Sequence, residues 1–206
     1  MRIVIIGPPG SGKGAQSELL QSKLKLKHIS SGELLRNEIR KKTIIGKKIN
    51  SLLKKGDLAP DKIIDKIITK TIRRKNNFVL DGYPRDLKQT KYLDKITKID
   101  KVLLLKIPSS LIIKRLSSRR ICKCGETFNL LTKKPKKKGI CDKDGKKLYH
   151  RDDDKKEIIK RRLKIYKTKT KPMINYYKNN NKLIVIDSSK PLKKVFNEIK
   201  NKLYKH

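Results

Sequence analysis

The sequence predicts an α/β fold: a three-layer, doubly wound parallel sheet of about five strands, carrying an inserted helical segment and a small separate module. Three observations predict it. Short apolar runs alternate with stretches of helical character along the chain. The first run ends in a glycine-rich loop that leads directly into a helix. Residues 121–153 differ in kind, with Gly, Cys, Pro and Lys and few apolar side chains.

Residues 1–6 form a short apolar run stopped by Gly7, the pattern of a buried parallel strand. A helix follows from about Lys13 to Lys25, and residues 27–29 make a brief second strand. Residues 32–74 read as helical, broken at Thr43, at Gly56-Asp57 and at Pro60. Phe78 to Asp81 is another strand, stopped by Gly82-Tyr83-Pro84. A helix from about Asp86 leads to the strand Val102 to Ile107. Pro108-Ser109 opens a helix that ends near Arg119.

Residues 121–153 cannot bury a core of their own and call for a staple or a partner. The long helix beyond them has Ile159, Leu163 and Tyr166 on one face, and Pro172 should kink or divide it. Leu183 to Asp187 is the last strand, and a C-terminal helix ends the chain. No internal repeat is visible. A ligand site is expected beyond the carboxyl ends of the parallel strands.

The chain has 206 residues, enough for one core plus a small appended module. Met1 to Ile6 runs straight into the loop, too short for a signal peptide. No apolar stretch approaches the roughly 20 residues that span a bilayer. The reading is of a soluble, cytoplasmic protein.

The formal net charge is +38, from 57 Lys+Arg against 19 Asp+Glu. That balance raises nucleic-acid binding. The details point elsewhere: 45 of the 57 are Lys, aromatics are 5% and Trp is absent. Nucleic-acid surfaces favour Arg forks and aromatic platforms. The charge is therefore read as Lys spread over solvated faces, with no specific nucleic-acid partner.

Gly7-Pro8-Pro9-Gly10-Ser11-Gly12-Lys13 fits G-x-x-x-x-G-K between a strand and a helix. Its glycines let backbone amides curl around a phosphate, and the helix N-terminus adds partial positive charge. Lys13 supplies a point charge for the outer phosphates. The Ser or Thr usual after the lysine is replaced by Gly14, followed by Ala15. A magnesium ion would then rest on substrate oxygens, waters and a carboxylate at a strand end. Asp81 is the leading candidate, with capping of the Gly82-Tyr83-Pro84 turn as its alternative role.

These residues resemble the adenylate kinase family. Gly7 to Gly14 is similar to its phosphate loop. His28-Ile29-Ser30-Ser31-Gly32-Glu33-Leu34-Leu35-Arg36 is similar to the start of its AMP-binding segment, and Gly56-Asp57-Leu58-Ala59-Pro60-Asp61 to the end of it. Phe78 to Arg85, with Gln89, is similar to the family signature. Arg115 to Arg120 and Arg151 to Asp154 bracket what resembles the family's long lid.

The resemblance implies a core (1–29, 60–120 and 155–206), an AMP-binding segment (30–59) and a lid (121–154). It implies transfer of a phosphoryl group from Mg-ATP to AMP, giving two ADP, by a monomer. ATP should meet Gly10, Ser11, Gly12, Lys13, Gly14, Ala15, Arg119, Thr127, Phe128 and Lys190. AMP should meet Ser31, Arg36, Asp57, Leu58, Ala59, Gly82, Tyr83, Pro84, Arg85 and Gln89. Arg151 and Arg162 should reach the phosphate in transfer. Lys13, Asp81, Arg85, Arg119, Arg151 and Arg162 form the expected catalytic set. The chemistry agrees, because phosphoryl transfer needs alignment and positive charge more than a protein nucleophile. His28, His150 and His206 are therefore given no role.

Cys122, Cys124 and Cys141 cluster in the lid segment, a pattern that suggests metal or free thiols more than disulfides. Cys141 and Asp144 match the second ligand pair of the lids this segment resembles. The first pair departs, with one residue between the cysteines instead of two. The expectation is a structural zinc on Cys122, Cys124, Cys141 and Asp144, with a shortened and strained first knuckle; the alternative is a metal-free lid. Two rival functions remain at this point: a kinase for UMP or CMP, and an inactive nucleic-acid-binding homologue.

Overall fold

The computed structural model describes residues 1–204. Five parallel strands form one sheet in the order β2-β3-β1-β4-β7. They are β1 (Arg2–Ile6), β2 (Lys27–Ser30), β3 (Phe78–Asp81), β4 (Lys101–Lys106) and β7 (Leu183–Asp187). Two further strands, β5 (Arg119–Ile121) and β6 (Thr127–Asn129), pair antiparallel in a separate small ribbon. β4 ends one residue before the expected Ile107. Its last partner is Asp187 opposite Lys106, and Pro108 turns the chain into the next helix.

The near-continuous apolar strands are explained by two cores. Val4, Ile6, Phe78, Leu80, Val102 and Leu104 face one side, packed with α2 (Ser31–Arg40), α3 (Ile44–Lys54), α4 (Asp61–Ile72), α5 (Leu87–Ile96) and, later in the chain, α8 (Lys171–Asn179). Ile3, Ile5, Val79, Leu103, Leu105 and Ile186 face the other, against α1 (Lys13–Leu24) and α9 (Leu192–Tyr204). Successive strand residues point to opposite faces, so each strand serves both.

The breaks in 32–74 fall where expected. Thr43 caps α3, its hydroxyl accepting from the Gly46 amide at 2.9 Å. Pro60 stands directly before α4. Asp86 caps α5 through the Gln89 amide at 2.9 Å. α6 (Ser109–Ser117) leads into this ribbon, which begins at Arg119, two residues ahead of the segment expected to form a lid (121–154).

The helix that follows residue 155 is divided, as Pro172 predicts. α7 (Lys156–Ile165) passes into a wide π-turn over Tyr166–Thr170 and resumes as α8. No described helix is long and apolar enough to cross a membrane. His206 lies outside the described residues.

Candidate active site

The carboxyl ends of β1 and β3 open on a cavity of about 1010 Å³. The glycine-rich loop forms one wall. Gly12 takes a left-handed conformation, and among the described residues no side chain caps α1. The first amides of α1 therefore face the cavity with the positive end of the helix behind them. Gly10 lies tight against α6: a Cβ there would sit 3.0 Å from Leu116 and 3.2 Å from the Ile112 carbonyl.

Lys13 Nζ donates to the carbonyls of Gly7 at 2.8 Å and Pro8 at 2.9 Å. Burial pushes its ammonium down to about 8. Asp81 opposes that shift, and the guanidiniums of Arg85, Arg162 and Arg119 add to it.

Asp81 ends β3 beside Gly14, where a Cβ would sit 3.7 Å from its Oδ2. Burial alone would raise the Asp81 carboxyl. His28 and the Lys13 ammonium outweigh burial and hold it below the ordinary carboxylate value. An ionised carboxylate at this strand end is the donor a magnesium ion takes, so Asp81 fits the expected role. His28, given no role from the sequence, stands on the cavity wall with its Nε2 3.6 Å from Asp81 Oδ2.

Six arginines line the same cavity, and five of them are the expected ones: Arg36, Arg85, Arg119, Arg151 and Arg162; the sixth is Arg115. Two carboxylates arrange three of them. Asp154, with a fully buried side chain, accepts from Arg119 Nε at 2.7 Å, from Arg119 Nη2, and from Arg162 Nη1 at 3.3 Å. Asp153 pairs with Arg151 Nε at 3.1 Å and Arg162 Nη1 at 3.1 Å. Burial lowers the pKa values of Arg85, Arg151 and Arg162, and repulsion among neighbouring guanidiniums lowers them further. A cavity whose lining carries more cationic side chains than carboxylates favours a polyanion.

On the side of α2, the Ser31 hydroxyl donates to the Gly82 carbonyl at 2.7 Å. The same carbonyl accepts from Arg85 Nε at 2.7 Å. Gly82 has positive φ, and a Cβ would fall 2.7 Å from Ser31 Oγ, so the turn closes only on glycine. Arg36 makes a forked contact with Glu33 at 3.0 and 3.1 Å. Gly82, Pro84, Arg85, Arg36 and Leu58 line the cavity.

Ser31, Asp57, Ala59, Tyr83 and Gln89 stand behind that wall. Tyr83 is fully buried and donates to Asp65 at 2.6 Å. Gln89 accepts from the Arg85 amide at 2.8 Å and donates to Asp61 at 2.7 Å. Its amide thus supports the turn of Arg85 in this structure.

On the lid side, Gly10, Ser11, Gly12, Gly14 and Ala15 line the cavity with Arg119, Thr127, Phe128 and Lys190. Phe128 also closes a small lid core with Cys122, Cys141 and Leu148. Cys122, Cys124, Cys141 and Asp144 place their ligand atoms within 4.8 Å of one another. The sulfurs of Cys124 and Cys141 are 3.7 Å apart, and the Lys143 amide donates to Cys141 Sγ at 3.4 Å. In a tetrahedron with Zn–S bonds of about 2.3 Å the sulfurs stand roughly 3.8 Å apart. The donor set therefore fits zinc, and the single-residue spacing brings both thiols of the first pair to the same point.

A protein-family model described as adenylate kinase matches residues 5–182. The chain belongs to the adenylate kinase family. It is 41% identical over 207 residues to an adenylate kinase of Petrotoga mobilis, covering 98% of this chain and 96% of the relative. It is 45% identical to one of Caldicellulosiruptor saccharolyticus, over 89% and 90% of the two chains. An adenylate kinase of Borrelia garinii subsp. bavariensis is 44% identical, over 100% and 97%.

Within this family architecture, sequence reasoning passed over several residues of the site. Asp153, Asp154, Glu33 and His28 hold charged groups of the cavity, and Arg115 lines it beside Gly12. A signal was present for the first two. Acids are scarce in this chain, yet three stand in a row after Arg151.

Proposed function

We propose that this chain catalyses reversible phosphoryl transfer from Mg-ATP to AMP, giving two ADP. One observation carries the reading. Lys13 and six arginines, Arg115 among them, converge on one cavity, with the amide-lined loop at one end and the Gly82–Arg85 turn at the other. The cavity volume of about 1010 Å³ suits two nucleotides end to end.

In this reading the loop amides and Lys13 bind the outer phosphates of ATP. Arg36 and Arg85 bind the AMP phosphate, and Arg119, Arg151 and Arg162 surround the group in transfer. These donors are fixed beforehand by Asp153, Asp154 and the Gly82 carbonyl, so charge that develops during transfer meets a pre-set field. Asp81 would hold the magnesium ion, directly or through water; when bound, the ion neutralises and orients the phosphate oxygens. Residues 121–154 act as a lid that excludes water. Residues 30–59 carry AMP, and the remainder is core. Cys122, Cys124, Cys141 and Asp144 would hold a structural zinc that staples the lid. The protein acts as a cytoplasmic monomer.

A coupled ADP-formation assay with Mg-ATP and a panel of AMP, UMP and CMP tests the reading. AMP is expected to be the preferred acceptor. ADP formation absent with AMP, or faster with UMP or CMP, overturns it.

A further inference from the structure

Arg162 and Thr170 both line the cavity, yet they lie eight residues apart on one helical rod. An α-helix of 3.6 residues per turn passes two full turns in about 7.2 residues, which would rotate Thr170 roughly 80° away from Arg162. The π-turn over Tyr166–Thr170 takes up the extra residue. Two turns then consume about eight residues, and both side chains look inward. Pro172 explains where the turn lies: it lacks an N–H and its ring crowds the carbonyl of residue 168. The Thr168 hydroxyl donates to the carbonyls of Lys164 at 3.1 Å and Ile165 at 3.3 Å, covering acceptors in the loosened ladder.

Thr170 is buried, and its Oγ1 donates to the Arg85 carbonyl at 3.1 Å. The Arg85 amide is held on its other side by Gln89 Oε1 at 2.8 Å. Arg85 and Arg162, both partly buried, carry like charges that repel one another, a force that acts to part the Gly82–Arg85 turn from α7. A tether between that turn and the rod carrying Arg162 opposes the push.

We propose that Thr170, aimed inward by the π-turn, is a positioning residue: its hydrogen bond to the Arg85 carbonyl sets the spacing of Arg85 and Arg162. It deepens the phosphoryl-transfer reading above and rests on it.

The test is steady-state kinetics with Mg-ATP and AMP on wild type, Thr170→Val and Thr170→Ser. Val keeps the shape and removes the hydroxyl; Ser keeps the hydroxyl. With one buried alignment bond lost, kcat/KM for AMP is expected to fall about tenfold in Thr170→Val. KM for ATP should stay within about twofold, and Thr170→Ser should recover wild-type kcat/KM within about twofold. In an Arg85→Lys background the Val substitution should cost less than about twofold, because its effect runs through Arg85.

Wild-type kcat/KM in Thr170→Val overturns the proposal. So does a Ser variant as slow as the Val variant, or an undiminished loss in the Arg85→Lys background. If Thr170→Val does not fold, Thr170→Ala takes its place in the cycle. Wild type that makes no ADP defeats the functional reading itself; an active wild type with an indifferent Thr170→Val defeats only this proposal.

Discussion

Arg161 grips Asp57 through two parallel hydrogen bonds, Nε to Oδ1 at 2.7 Å and Nη2 to Oδ2 at 2.8 Å, across 104 positions of sequence. The pair ties the end of the 30–59 segment to α7, one residue before Arg162. Neither residue lines the cavity, so the pair acts from outside it. Arg161 is about half exposed, so the pair contributes little beyond its geometry. Arg161→Ala is expected to cost about 0.5 kcal/mol in urea unfolding, and the cost should shrink as salt is raised. A loss unchanged by salt would contradict an ion-pair origin.

Removing the ammonium of Lys13 removes the point charge of the loop. Lys13→Ala should lower kcat by roughly 10²–10³, the scale for losing one pre-set charge stabiliser in a dry site. Circular dichroism should show the fold unchanged. Near-normal turnover would contradict the assignment of the loop.

The Lys13 ammonium, lowered to about 8, also sets a pH dependence. Below that value the free enzyme carries the charge; above it the group is neutral and attracts phosphate less. The kcat/KM for ATP, which reports the free enzyme, should therefore decline as pH rises through about 8. In Lys13→Arg the guanidinium stays charged, so the decline should move well beyond that range although the rate is lower. A profile identical in both proteins would assign the titration to another group.

Asp154 holds Arg119 and Arg162 from a fully buried position. Asp154→Asn keeps the shape and removes the charge, leaving two guanidiniums without their shared counter-ion. Breaking a buried pair in this way should destabilise the fold by about 3 kcal/mol in urea unfolding and lower kcat as well. A variant with both quantities unchanged would show that Asp154 organises neither arginine.

Protein purified without chelator should carry about one zinc per chain by elemental analysis. Cys124→Ser should lose most of it and lower the melting midpoint, since the lid core of Cys122, Phe128 and Cys141 has few apolar partners. Wild type free of zinc would leave the lid held by its own hydrogen bonds, such as Cys122 to Asp144 at 3.1 Å.

The sequence by itself determined the order of elements, the glycine-rich loop and the arginine positions. These rest on local rules: apolar runs between breakers, the loop's fixed spacing, and arginines kept within motifs of a lysine-dominated chain. Only the tertiary structure decided that Asp153 and Asp154 hold three of those arginines, that His28 faces Asp81, and that Gln89 braces Arg85 instead of lining the cavity. It also showed how Pro172 divides its helix, through a π-turn that brings Arg162 and Thr170 to one face. Which side chains meet across a cavity depends on strand order, helix phase and burial, and those belong to the whole folded chain.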